Sequence, residues 1–190
     1  MARPYFEEED FDQARITQEP LQAGEYEGCR FEGCSLAGFD LSDFVFTDCD
    51  FVQCNLGNAI LSNTTLNDVR FKDSKLTGLD FEVCNKFLFS LSFKQCNLSW
   101  SSFTNRTMKH TLFNGCQLIQ VDFSGANLGG SQFVDCDLQD ASFNQSNLEK
   151  CDFSKARHYS IDPAANNIRK AKFTWPEVMG LLRQFDIDVS

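Results

Sequence analysis

Histidine, tryptophan, tyrosine and proline are scarce in this chain, with 2, 2, 3 and 4 among 190 residues. The two histidines, His110 and His158, leave little material for general acid–base chemistry or imidazole metal sites. Both lie off the hydrophobic register described below, whereas every cysteine lies on it, so no Cys–His nucleophile is indicated. There is no Cys-x-x-Cys, no GxxxxGK phosphate loop and no HExxH. Lys and Arg number 17 against 27 Asp and Glu, a net charge of −10 that argues against direct nucleic-acid binding. No apolar run is long enough for a transmembrane helix. Met1 to Asp10 is acidic and lacks the basic-then-apolar layout of a signal peptide. The expectation is a non-enzymatic protein with no cofactor, no metal and no membrane partner.

Phenylalanine, by contrast, is abundant at 20 residues. From Phe11 to Phe81 every fifth residue is Phe, Tyr, Leu or Ile, and a second run from Leu88 to Phe153 keeps the same spacing. A helix repeats every 3.6 residues and a strand every 2, so neither explains a five-residue period. A short strict period means a solenoid, whose units bury their apolar sides against their neighbours. A second register supports the first. Eight cysteines stand two residues before a centre, sharing that place with Ala, Ser and Thr, and Cys84 makes all 9 fit when the first register is carried one step past Phe81. That bias needs a small buried slot. It points to reduced core thiols and a cytoplasmic setting rather than to disulfides.

A longer period sets the shape. Phe11, Phe31, Phe51 and Phe71 recur every twenty residues, and Phe93, Phe113, Phe133 and Phe153 continue the series after a shift of two. Four five-residue sides per turn give a four-sided coil, whose turns stack at the parallel-strand spacing of about 4.8 Å. The phenylalanines then form a core ladder. Phe11 to Phe153 makes about seven turns and about 35 Å of rod at that spacing.

Units such as Cys29-Arg30-Phe31-Glu32-Gly33, Ala126-Asn127-Leu128-Gly129-Gly130 and Cys136-Asp137-Leu138-Gln139-Asp140 resemble the pentapeptide repeat family, pattern A(D/N)LXX. The resemblance implies an all-β fold, a right-handed quadrilateral parallel β-helix. On this reading residues 1–24 are an N-terminal cap segment, 25–156 the β-helix and 157–190 a C-terminal capping or dimerisation segment.

Three departures stand out. Phe39 and Phe44 occupy slots where small residues are the rule, so they either repack inside or turn outward as a partner site. Two extra residues interrupt the period at 82–94, where Phe87, Leu88, Phe89, Leu91 and Phe93 crowd together; a kink with its apolar residues tucked in is expected. Asp10, Arg30, Asp50 and Arg70 alternate in charge twenty residues apart and suggest a stacked ladder on the outside. Charge is also uneven along the chain: residues 1–82 carry 17 acids and 6 bases, while Val83 to Val121 hold no acid.

Beyond residue 156 the repeat stops. Thr174 and Glu177 have the spacing of a capping box, with Pro176 early in the predicted α-helix. Val178, Leu181, Leu182 and Phe185 follow as one apolar stripe, which caps the last coil, dimerises, or both. Residues 185–189 alternate like a short strand. This tail, with Ile161-Asp162-Pro163 and the Leu181-Leu182 stripe, resembles that of the gyrase-protecting branch of the family, the quinolone-resistance and microcin B17 immunity type; in its plasmid and mycobacterial quinolone-resistance members such a tail joins two copies end to end. The resemblance implies an acidic rod that occupies the DNA-binding saddle of DNA gyrase or topoisomerase IV. Asp40, Asp43, Asp48, Asp50, Asp68, Asp73 and Asp80 would then carry the interaction, at roughly duplex spacing. The alternative is a protein–protein interaction scaffold. A continuous acidic face favours the first reading, and an exposed apolar patch near Phe39, Phe44 or Phe87 the second.

Overall fold

The computed structural model describes residues 3–185 and 187. Strands of three or four residues follow one another, and all their pairings are parallel. One sheet has four strands, Tyr5–Glu7, Glu25–Glu27, Val45–Thr47 and Thr65–Asn67. The other has seven, from Asp10–Asp12 through Arg30–Glu32, Asp50–Val52, Val69–Lys72, Leu91–Lys94 and Leu112–Asn114 to Gln132–Val134. Single bridges hold the remaining two sides, for example Asn55 to Lys75 and Asp122 to Ser142. The chain therefore winds around four faces. Face one is centred on Tyr26 and Phe46, face two on Phe31 and Phe51, face three on Leu36 and Leu56, and face four on Leu41 and Leu61.

Each side is one extended step and one corner. The corner residue, two after the centre, has left-handed backbone: φ is 53° at Asp48, 54° at Gln53 and 54° at Asn58. Gly, Asn and Asp prevail there because other side chains clash in that region. The residue before the centre has a different task. Its side-chain oxygen accepts the N–H two residues ahead, as in Asp122 with Ser124 at 2.8 Å and Asn97 with Ser99 at 3.0 Å. Aspartate and asparagine make this turn equally well, which accounts for their shared place in the repeat.

The small slot has a chemical role besides its size. Cys34 Sγ donates to the Phe11 carbonyl at 3.3 Å, Cys54 Sγ to Phe31 at 3.3 Å, Ser101 Oγ to Leu76 at 2.7 Å and Ser146 Oγ to Phe123 at 2.8 Å. Each donor satisfies a carbonyl one turn earlier, so Cys, Ser and Thr are interchangeable there as small groups with one hydrogen to give. All 9 cysteines are buried free thiols. Burial pushes the Cys49 thiol up to about 12 and keeps it protonated.

Inside, the rings of Phe11, Phe31, Phe51, Phe71, Phe93, Phe113, Phe133, Phe153 and Phe173 form one column. Phe113 and Phe133 lie 5.0 Å apart, 3° from parallel. A second aromatic column meets it edge-on. It runs on face one through Phe6, Tyr26 and Phe46, then on face four through Phe81, Phe103, Phe123 and Phe143. Phe103 on face four and Phe113 on face two come from opposite walls and meet edge-to-face across the core at 81°. Phe44 is buried in this packing, stacked on Tyr26 and Phe46, and Phe39 packs against it.

The interruption falls on face one. Asn85 N–H donates to the Thr64 carbonyl and Ser90 N–H to Leu66, so the chain between them bulges outward. Phe87 and Leu88 are 79% and 69% exposed, which corrects the expectation that the apolar residues tuck in. Phe89, Leu91 and Phe93 do turn inward, Phe89 beneath Arg106. Arg106 occupies a slot that small residues fill on most turns. Its buried guanidinium donates to the Cys84 and Asn85 carbonyls at 3.0 and 2.6 Å and lies 3.9 Å from the Phe89 ring centroid. Arg106→Ala removes the group that fills the space behind the bulge and leaves two carbonyls without their donor. We expect a loss of about 2–4 kcal/mol by urea denaturation.

Coiling starts at Tyr5, inside the N-terminal segment, since Tyr5–Glu7 and Asp10–Asp12 already pair with the next turn. The helix Gln13–Gln18 then replaces two sides of that first turn. Asp12 caps it by accepting the Arg15 N–H at 2.8 Å, and Ile16 and Leu21 pack on the end of the core. At the other end the expected α-helix is absent. Glu177–Leu181 and Arg183–Phe185 are short 3₁₀ turns. The expected capping pair is engaged elsewhere, with Thr174 Oγ1 donating to the Ser154 carbonyl and the Glu177 carboxylate accepting the His158 N–H. Gly180 sits so close to the last coil that a Cβ there would lie 2.0 Å from the Tyr159 carbonyl oxygen. Gly180→Ala is therefore expected to lift the tail, lower stability by about 1–3 kcal/mol and speed proteolysis after residue 174. An unchanged melting curve and cleavage rate would refute this contact. Of the alternating stretch 185–189, residues 186, 188 and 189 lie outside the described residues.

Candidate functional site

Among the described residues no group of His, Cys, Asp or Glu is placed to hold a metal, and no helix is long and apolar enough to cross a membrane. On the outer surface the charged residues are distributed unevenly among the four faces.

The predicted acidic residues do not share one face. Asp40 and Asp80 lie on face four, and Asp43 at its edge with face one. Asp48 and Asp68 sit at the corner between faces one and two, Asp50 on face two, and Asp73 at the corner between faces two and three. Asp48 and Asp50 are further engaged by Arg70, Asp48 at 2.6 Å. Arg70 and Asp50 belong to the alternating ladder in which Asp10 pairs in register with Arg30, Arg30 with Asp50, and Asp50 with Arg70. These are exposed pairs, worth about 0–1 kcal/mol each.

What the structure brings together is a different set. The outward residue before each face-four centre runs Asp40, Ile60, Asp80, Ser102, Asp122 and Ser142, and the same twenty-residue step in the sequence leads on to Asp162. The residues after those centres, and those at the two bordering corners, add Asp43, Glu82 and Asp140. From Gly38 to Ala165 no Lys or Arg occupies an outward position on this face or its corners. Like charges directly in register on neighbouring strands repel. Here Ile60, Ser102 and Ser142 separate the aspartates, so that a carboxylate recurs every second turn, about 9.6 Å apart. Ser42 holds the Asp40 carboxyl below the ordinary carboxylate range, through its hydroxyl and its N–H. Asp122 and Asp162 were within reach of sequence reasoning: the twenty-residue column, shifted by two after the interruption, contains both.

The spacing departs from that expected of duplex DNA. The seven acids span six turns, one charge per about 4–5 Å of axis at the strand spacing, against about 1.7 Å in the duplex. The face has the sign of DNA but roughly a third of its charge density.

The apolar stripe of the tail is also divided. Leu181 packs on the core, Val178 and Leu182 are half-buried, and Phe185 is 52% exposed. Trp175, beside them in sequence, is 73% exposed.

The family model described as pentapeptide repeat region matches residues 25–86 and 85–162. Among solved structures, two trypsin-treated variants of QnrB1, titled a plasmid-mediated fluoroquinolone resistance protein, are similar to this chain. One is 16% identical with a TM-score of 0.61 and covers 100% of both chains. The other is 16% identical with a TM-score of 0.62 and covers 99% of this chain and 98% of its own. At this identity the likeness is one of fold. No curated protein sequence matches the chain.

Proposed function

We propose, from the premise that this chain belongs to the pentapeptide repeat family, that it is a non-enzymatic acidic rod which binds the DNA-binding groove of a type II topoisomerase in the cytoplasm and protects that enzyme from a quinolone or toxin. The observation that carries the reading is the base-free face four, with Asp40, Asp80 and Asp122 recurring on alternate turns and Asp162 next in the twenty-residue step of the sequence. A groove lined by Lys and Arg that normally holds phosphates would attract such a face, chiefly by speeding encounter. The low charge density predicts weaker, more salt-sensitive binding than that of DNA. Titrating the protein into a DNA gyrase supercoiling assay, with and without a fluoroquinolone, tests this. Inhibition at micromolar protein or rescue from the drug is expected; no effect in both arms would reject it.

A homodimer through the tail is part of the proposal. Val178, Leu182 and Phe185 supply the apolar contact, together with Trp175. Leu182→Asp is expected to halve the mass seen by light scattering, and an unchanged mass would remove tail pairing from the proposal.

A second reading, an interaction scaffold, draws on the exposed Phe87 and Leu88. Arg106 fixes the bulge that presents them, so they are pre-organised for an apolar pocket. Under this reading the pair Phe87→Ser and Leu88→Ser abolishes partner binding, while the gyrase assay shows no effect of the wild-type protein.

A further inference from the structure

Face two, opposite the acidic face, carries a groove of about 310 Å³ that the topoisomerase reading does not use. It opens where the small side chain of Ser92 lies between Arg70 on one turn and Leu112 on the next. At this level the phenylalanine column is loosest, with Phe71 and Phe93 centroids 5.6 Å apart. Val52 and the 41%-exposed Leu112 give the groove apolar walls. Arg70 is held aside by Asp48 and Asp50.

The charged side of the groove is unusual. Lys72 and Lys94 are direct register partners on adjacent parallel strands, so their backbones stand about 4.8 Å apart. Elsewhere in this sheet register neighbours alternate in sign, as in Asp50 with Arg70, or are otherwise engaged, as Asp12 is by the helix it caps and Glu32 by Arg30. Lys72 has only a 3.9 Å contact with Asp73. Among the described residues Lys94 has no carboxylate within ion-pair range. Two like charges in register repel, and an anion between them removes that repulsion. The Ser92 hydroxyl and Asn114 amide add neutral hydrogen-bonding groups beside them.

We infer that this groove binds a small organic anion: a carboxylate held between Lys72 and Lys94, on a ring-sized apolar body lying over Ser92 against Val52 and Leu112. The volume is that of a small-ligand site, and apolar walls with a few convergent polar groups are the usual make-up of one.

The probe is 2-naphthoate, titrated into the full chain by calorimetry and followed by its fluorescence, alongside 2-naphthamide, inorganic phosphate and an acidic nonapeptide. Saturable one-to-one binding of 2-naphthoate is expected. Lys94→Ala should weaken it by about tenfold through loss of a charge-assisted contact. Ser92→Phe, which fills the groove from an outward position, should abolish it, and Lys170→Ala, remote from the groove, should leave it unchanged. Loss of the charge in 2-naphthamide should cost about as much as Lys94→Ala. Absence of saturable binding, or equal binding by Lys94→Ala and the wild type, would overturn the inference. So would equal binding of phosphate, which would reduce the site to a charge patch, or tighter binding of the nonapeptide, which would make it a peptide site. If Ser92→Phe fails to fold, the exposed Lys94→Ala variant still decides. None of these outcomes depends on whether the acidic face meets a topoisomerase.

Discussion

Phe113→Ala lowers the unfolding free energy by about 4 kcal/mol, a loss typical of the rings in the middle of the coil. Phe113 is fully buried and stacked between Phe93 and Phe133 at 5.2 and 5.0 Å. Its edges also meet Phe103 and Phe123 at 81° and 79°. Removing the ring forfeits its transfer from water and opens a cavity that rungs fixed by the backbone ladder cannot close. It also interrupts aromatic contacts worth about 0.5–1.5 kcal/mol each. Phe11→Ala at the end of the column should cost clearly less, because Phe11 has a stacked neighbour on one side only and Arg15 over its ring. Urea denaturation of both variants checks the pair. Equal losses would mean that position along the column does not matter, contrary to a core built by stacking.

The second large effect concerns binding. Asp40→Asn, Asp80→Asn and Asp122→Asn together should weaken topoisomerase inhibition by about tenfold to a hundredfold at low salt, since each exposed carboxylate contributes up to about 1 kcal/mol. The fold should not change, because asparagine makes the same turn: Asn55 and Asn97 accept the N–H two residues ahead just as Asp122 does. The control is the triple Asp48→Asn, Asp50→Asn and Asp73→Asn. It alters net charge equally but lies on other sides of the rod. The face-four triple should lose far more, and the gap between the two should close as salt rises. Equal losses would show that net charge, not this face, carries binding, and the assignment of the site would fall.

The interior was largely legible in the sequence, because a five-residue period repeated for most of the chain leaves few ways to bury it. Phe11 to Phe153, at twenty-residue intervals with one shift of two, place the rings in one column, and the cysteine register places the thiols inside. The exterior was less legible. Asp48 and Asp80 look equivalent as acids in a list, yet one is paired with Arg70 and the other stands on a face without bases. The difference arises from contacts between residues twenty or more apart on neighbouring turns, and from the two-residue shift that brings Asp122 and Asp162 into line with Asp80. The tail misled for a similar reason. Thr174, Glu177 and the stripe from Val178 to Phe185 satisfy the local rules for a helix. The last coil takes the two capping groups for itself and holds Gly180 against Tyr159, leaving 3₁₀ turns. By itself, then, the sequence determined the coil, its period and its dry aromatic core, since repetition fixes burial locally. Only the tertiary structure decided which charges share a face, which way Phe87 and Leu88 point, and what shape the tail takes, since those depend on neighbours that the chain supplies a full turn away.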